Sequence, residues 1–119
     1  MNILLVDDDQ SILKTLNNKI EQHGFQCTSY NNATDALKFF KENNIDIVIT
    51  DIKMPDMNGV EFISKLYNYN HKIKIIIITG LIDFELIGDY IKQNIIASFE
   101  KPFRSSNLIQ KIKNETHNI

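Results

Sequence analysis

Short, wholly apolar runs alternate along this chain with stretches whose apolar residues recur every three or four positions, and the two patterns predict different elements. Residues 3–6 (Ile-Leu-Leu-Val) are the kind of run a parallel strand shows when both of its faces are covered. The period then lengthens: Ile12, Leu13, Leu16 and Ile20 fall on one helical stripe, with Ser11 placed to cap its start and Gly24 to take a left-handed turn at its end. Residues 25–30 read as a second strand. Asn32 with Asp35 resembles a capping pair before a helix carrying Ala33, Ala36, Leu37 and Phe40, which ends near Asn43 and Asn44. Residues 45–50 form a third strand, and residues 51–59 a loop marked by Pro55, Asp56, Asn58 and Gly59. Val60, Phe62, Ile63 and Leu66 carry the next helix, and residues 73–78 the fourth strand. A helix over 83–93 follows, with Gly88 in its interior at a cost of ~1 kcal/mol relative to Ala and Asn94 at a left-handed exit. Residues 95–100 are the fifth strand, and Ser105 or Ser106 opens a last helix through Leu108, Ile109 and Ile112. Strand followed by helix, five times over, implies an α/β fold: a doubly wound parallel sheet with helices on both faces.

Parallel strands bring their C-terminal ends to one edge, so the polar residues that stop the runs converge there. They are Asp7 and Asp8, then Asp51, then Thr79, then Lys101 before Pro102. Taken singly, each has an ordinary use: Asp at a strand end forms turns and caps, Thr79 precedes Gly80 in a turn, and a lysine is most often solvated. Together they are carboxylates, a hydroxyl and an ammonium in one pocket. Three ionised carboxylates repel unless a cation joins them or a proton is taken up. All-oxygen donors on a partly rigid edge favour Mg²⁺ or Mn²⁺, an ion that keeps waters and so leaves room for a phosphoryl group. Lys101 can pair with that phosphate or with Asp51, Thr79 can donate to a phosphate oxygen, and a carboxylate so flanked can attack phosphorus.

Composition narrows the picture without changing it. The 119 residues, 43% hydrophobic and 24% charged with four Gly and two Pro, describe a single domain over 1–119 with no linker, repeat or low-complexity tract. A net charge of −2 with scattered basic residues gives no nucleic-acid surface. The start lacks a basic leader, and the 75–78 run is far shorter than the ~20 residues of a membrane span, so a cytoplasmic protein without membrane contact is expected. Cys27 is alone and reads as a small buried hydrophobe, while His23, His71 and His117 lack metal-site spacing and read as surface or helix-end residues.

Leu5-Val6-Asp7-Asp8-Asp9, Ile49-Thr50-Asp51-Ile52-Lys53-Met54-Pro55-Asp56-Met57-Asn58-Gly59, Ile78-Thr79-Gly80 and Lys101-Pro102-Phe103 stand in the order and spacing of the response-regulator receiver domain of two-component signalling, which the chain resembles over essentially its whole length. The resemblance implies a flavodoxin-like sheet of strand order 2-1-3-4-5. It implies that Asp51 is phosphorylated by a histidine kinase or histidine phosphotransfer protein with Mg²⁺ as cofactor. Asp8 would bind the metal directly, Asp7 through water, and Asp51 and the Lys53 backbone carbonyl would supply further oxygens. Thr79 and Lys101 would hold the phosphoryl oxygens, and the peptide before Pro102 would be cis. Asp9 reads as an outer-shell or helix-capping residue. Such a domain is not an enzyme of metabolism: it catalyses only its own phosphorylation and dephosphorylation. Its output would be a changed helix 4–strand 5–helix 5 surface, also a possible homodimer face, acting on a partner or an output domain.

Two positions depart from the family pattern. The family commonly has Tyr or Phe three residues before the strand-five lysine, where this chain has Ser98 followed by Phe99, and Ile87-Gly88 stand where small or apolar helix formers are usual. A pseudo-receiver that binds partners without phosphate is opposed by the complete set Asp7, Asp8, Asp51, Thr79 and Lys101. A haloacid-dehalogenase-type hydrolase wants an Asp where Lys53 stands. A dinucleotide site lacks its G-x-G-x-x-G after the first strand.

Overall fold

A computed structural model describes residues 1–80 and 88–116, with Tyr90 through its backbone alone. The elements in chain order are β1 (Asn2–Val6), α1 (Gln10–Gln22), β2 (Gln26–Tyr30), α2 (Ala33–Glu42), β3 (Ile47–Thr50), α3 (Gly59–Tyr69), β4 (Lys74–Thr79), α4 (Asp89–Lys92), β5 (Ile95–Glu100) and α5 (Ser105–Thr116). All strand pairs are parallel, in the order β2-β1-β3-β4-β5. This is the doubly wound sheet that the alternating patterns predict.

The reason for the unbroken apolar runs is visible in where their side chains go. Leu4, Val6, Val48, Ile75 and Ile77 join Ala36, Phe40, Phe62, Leu66 and Ile91 in a core between the sheet and α2, α3 and α4. Their neighbours Ile3, Leu5, Ile47, Ile49, Ile76 and Ile78 join Leu13, Leu16, Ile20, Leu108 and Ile112 in a second core under α1 and α5. Successive strand residues point to opposite faces, so a strand covered on both sides has no polar position to offer. Each fully buried Leu or Ile contributes roughly 1.5–3 kcal/mol, and the central strands β1, β3 and β4 are therefore the rigid part of the molecule.

Local details differ from the sequence reading in four places. The cap of α1 is Asp9, not Ser11: the Asp9 carboxylate accepts from Ser11 N at 3.0 Å, Ile12 N at 3.4 Å and Ser11 Oγ at 2.7 Å. An ionised acceptor ahead of the helix takes its free amides better than a hydroxyl already inside the first turn. Gly88 is not interior to α4; it is the cap at φ −58°, ψ 138°, and α4 as described begins at Asp89. Positions 83–87 of the predicted helix lie outside the described residues, as does His117. Asn94 does not take a left-handed exit, since no non-glycine described residue has positive φ. It turns inward, and its Nδ2 donates to the carbonyls of His71 and Ile73, both at 2.8 Å. Finally, Ile75 pairs with Ile95 but Ile76 with Ala97, so Ile96 is an extra residue in β5 that shifts its register.

Other expectations hold. Gly24 has φ 90°, and Asn32 caps α2 by accepting from Asp35 N at 2.8 Å. His23 and His71 are exposed, His71 stacking on Tyr67 at 4.6 Å between ring centroids. Cys27 packs half-buried against the α1–α5 core, and burial, with the Glu21 charge adding, pushes its thiol up to about 12. No helix among the described residues is long and apolar enough to cross a membrane.

Gly59 closes the loop that leads from β3 to α3. Its amide donates to Ile52 O at 2.8 Å, and a Cβ built there would sit 2.5 Å from that same oxygen. Backbone cannot move aside as a side chain tip can. Gly59→Ala is therefore expected to cost about 2–3 kcal/mol in urea unfolding; a change within about 0.5 kcal/mol would show that the loop yields freely.

Candidate functional site

Asp7, Asp51 and Lys101 are each placed by the last rung of a strand ladder. Asp7 N donates to Tyr30 O at 3.2 Å, Asp51 N to Val6 O at 3.0 Å, and Lys101 N to Thr79 O at 2.8 Å. The side chains that leave the sheet at those rungs meet over its C-terminal edge. Lys101 Nζ lies 2.7 Å from Asp7 Oδ2 and 2.8 Å from Asp51 Oδ2. Carboxylate oxygens of Asp7, Asp8 and Asp51 all lie within 4.8 Å of one another. Lys101 precedes a cis peptide to Pro102, as the sequence resemblance implies.

The remaining valences of the two buried carboxylates are filled by backbone. Asp7, fully buried, accepts from Asp9 N at 2.9 Å. Asp51, 5% exposed, accepts at Oδ1 from Ile52 N at 2.6 Å and Lys53 N at 3.2 Å. This leaves the Asp51 oxygen nearer Lys101 as the one directed at the pocket. Asp8 is exposed at the rim, while Asp9 serves both expected roles, its carboxylate capping α1 and its amide supporting Asp7. Thr79 is fully buried at the end of β4 and joins the site through its carbonyl. The Lys53 side chain is exposed, and its amide is the part that touches Asp51. Sequence reasoning missed two supports, the Tyr30 carbonyl and the Thr50 hydroxyl that donates to Asp51 O at 2.8 Å; neither carries a motif that could have flagged it.

The electrostatics show what the pocket lacks. Burial raises the pKa of Asp7, against the lowering effect of Lys101 and the Asp9 amide, and the Asp51 charge raises it further. Burial disfavours the Lys101 ammonium, but the hydrogen bonds and charges of Asp51 and Asp7 together outweigh it and raise its pKa. Three carboxylates against one ammonium leave two negative charges when all are ionised, which a divalent cation balances. The donor set fits Mg²⁺: the ligands are hard oxygens, and their spread is comparable with the ~4.2 Å between opposite ligands of an octahedral Mg²⁺.

The model of the response regulator receiver domain matches residues 3–113. The chain belongs to this family. It is 30% identical over 94% of its length to the C4-dicarboxylate transport transcriptional regulatory protein DctD of Rhizobium meliloti, and 29% identical over 97% to the transcriptional regulatory protein FixJ of the same organism. It spans only 24% of DctD and 56% of FixJ, so those relatives carry further sequence with no counterpart here. Among solved structures, a CheY-like receiver domain protein from Methanospirillum hungatei superposes with a TM-score of 0.88 at 28% identity, covering 98% of this chain and 94% of that one. The response regulator TrrA from Thermotoga maritima, solved in complex with Mg²⁺ and a beryllium fluoride, superposes with a TM-score of 0.82 at 29% identity, covering 95% and 96%. Receiver domains are signalling modules of two-component systems, they bind Mg²⁺ at their acidic pocket, and here that pocket is Asp7, Asp8 and Asp51.

Because the folded-state pKa of Asp7 is raised above its ordinary 3.8, the stability it contributes is present in full below that pH and is lost as pH rises through the folded-state value. Above that folded-state value and without metal, an ionised Asp7 opposes folding. Asp7→Asn is expected to raise the Tm of the metal-free protein by several degrees in differential scanning fluorimetry and to shrink the further rise on adding Mg²⁺. A lower metal-free Tm would contradict this account of the pocket.

Proposed function

We propose that residues 1–119 form one receiver domain acting as a phosphoacceptor switch, in which Asp51 takes a phosphoryl group from a histidine kinase or histidine phosphotransfer protein. The observation that carries the reading is the bridging position of Lys101, 2.7 and 2.8 Å from Asp7 and Asp51 beside the exposed Asp8. In the step proposed, the Asp51 oxygen that pairs with Lys101 forms a bond to phosphorus as the phosphorus–nitrogen bond to the donor imidazole breaks, and the imidazole leaves with the electron pair of that bond and takes up a proton. The two amides on Asp51 Oδ1 hold the carboxylate in one rotamer, so the attacking oxygen is aimed before the donor arrives. The Lys101 ammonium then transfers its hydrogen bond from Asp51 to a phosphoryl oxygen while keeping Asp7, and the Thr79 hydroxyl is the second donor to the phosphoryl group. Asp8, Asp51 and the Lys53 carbonyl would hold Mg²⁺ directly and Asp7 through water. The ion supplies neutralisation of charge on the transferring group.

Hydrolysis of the acyl phosphate by water resets the switch, and no metabolite is turned over. The readout is the face formed by α4, β5 and α5, offered to a protein partner, a second copy of the chain or an output domain. Nucleic acid is not contacted directly. Ser98 on that face is exposed and, with Lys92, Ile95 and Ala97, lines a cavity of about 220 Å³ where the family commonly has a ring. Phe99 belongs to the other side, packed toward α5 with its ring 5.9 Å from that of Phe103.

Incubation with acetyl phosphate and Mg²⁺ is expected to add one phosphoryl mass to the intact protein. Asp51→Asn should abolish the adduct, Asp8→Asn should lower its rate by a hundredfold or so, as loss of a metal ligand does, and chelator should remove it. An adduct that survives in Asp51→Asn would overturn the assignment.

A further inference from the structure

The loop from β3 to α3 carries a carboxylate for which the phosphoryl chemistry has no use. Asp56 faces away from the pocket and reaches α2, which starts more than twenty positions earlier: Oδ1 accepts from Ala33 N at 3.1 Å, and Oδ2 from Thr34 N at 2.9 Å and Thr34 Oγ1 at 2.6 Å. The start of α2 already has its own cap, Asn32, which takes Asp35 N at 2.8 Å. The second carboxylate therefore ties two elements together as well as satisfying helix amides.

What it ties is the loop that supplies one side of the metal site. The ends of that loop are held by Asp51 Oδ1 on the amides of Ile52 and Lys53 and by Gly59 N on Ile52 O. Its middle is held from below by Met54 and Met57, whose side chains pack on the α2–α3 core. Apolar contact sets depth but not direction. The three hydrogen bonds of Asp56 set direction. The same corner, where β2 passes into α2, also presents Tyr30 O to Asp7 N. Both walls of the acidic pocket thus lean on one corner.

We propose that Asp56 and Thr34 are a positioning pair for the divalent-cation site, fixing the loop that carries Lys53 against α2 so that its carbonyl stays in reach of the metal. The proposal rests on the Mg²⁺ reading given above. Neither residue touches the ion or the phosphoryl group; they act through the loop, as outer-shell partners act through a ligand.

The test is a Mg²⁺ titration of the whole chain by isothermal calorimetry, on wild type, Asp56→Ala, Thr34→Val, Thr34→Ser and the control Asn32→Ala, with Tm measured alongside. Asp56→Ala is expected to weaken Mg²⁺ binding on the order of tenfold and Thr34→Val by a smaller factor, with Thr34→Ser close to wild type because it keeps the hydroxyl. Asn32→Ala removes a cap from the same helix without touching the loop, so its Tm should fall while its Mg²⁺ affinity stays at the wild-type value. Lower Tm with unchanged Mg²⁺ affinity in both Asp56→Ala and Thr34→Val would overturn the proposal and leave Asp56 a helix cap. Should Asp56→Ala fail to fold, the Thr34 pair decides alone. A wild-type protein that binds no Mg²⁺ would overturn the metal reading and the positioning role with it, whereas wild-type binding with unaffected variants overturns the positioning role alone.

Discussion

Two carboxylates forced together at the buried edge of a parallel sheet are the constraint around which this molecule is organised. Asp7 and Asp51 emerge from adjacent strands, β1 and β3, at rungs of one ladder, so register alone makes them neighbours. Like charges about 4 Å apart repel by about 4 kcal/mol even at an effective dielectric of about 20. The compensating ammonium comes from β5, two strands beyond β3, and Lys101 reaches both oxygens only because β5 holds its own last rung on Thr79. Charge balance at the edge therefore depends on the pairing of all the central strands. The register shift at Ile96 belongs to the same geometry, because it sets which β5 residue lies opposite the end of β4.

In the function proposed, an ammonium shared between two acids is also what would make the pocket responsive. A phosphoryl group on Asp51 would put several stronger acceptors in place of one carboxylate oxygen, and the shared cation would redistribute among them without leaving Asp7. Any movement of Lys101 is passed to β5 and, through the Thr79 carbonyl, to β4. Within β5 the chain departs from the common pattern of its family. With Ser98 in place of a ring, the cavity it lines with Lys92, Ile95 and Ala97 receives no aromatic side chain from β5, whose one ring, Phe99, sits on the α5 side. Readout by exchange of a β5 ring has no residue to perform it here.

The parts of this account that were legible in the sequence are those in which one residue type has one physical reason to be where it is. Unbroken runs such as Ile47-Val48-Ile49 mean burial on both faces, and a polar residue ending such a run means the sheet edge, so the places of Asp7, Asp51, Thr79 and Lys101 are legible in the sequence alone. The cap at Asn32 and the left-handed turn at Gly24 were legible for the same reason. Where two residues could serve, pattern did not choose: Asp9 and Ser11 both suit a helix start, and Asn94 suits an exit turn as well as the buried clamp on His71 and Ile73 that it forms. In the sequence Asp56 reads as loop punctuation, because its partners, Ala33 and Thr34, are distant in the chain and ordinary in type. The extra residue of β5 is invisible for a related reason, since Ile95 and Ile96 are equally apolar and only pairing with β4 tells them apart.

A crystal structure of the chain with Mg²⁺ and beryllofluoride would show whether one pocket at this edge holds both a divalent cation and the phosphoryl group. The fluoride adduct is expected on the Asp51 oxygen now paired with Lys101, the metal among Asp7, Asp8 and Asp51, and Lys101 Nζ hydrogen-bonded to a fluorine while still within reach of Asp7. An adduct on another carboxylate, or a metal bound away from these three residues, would contradict the single-pocket reading.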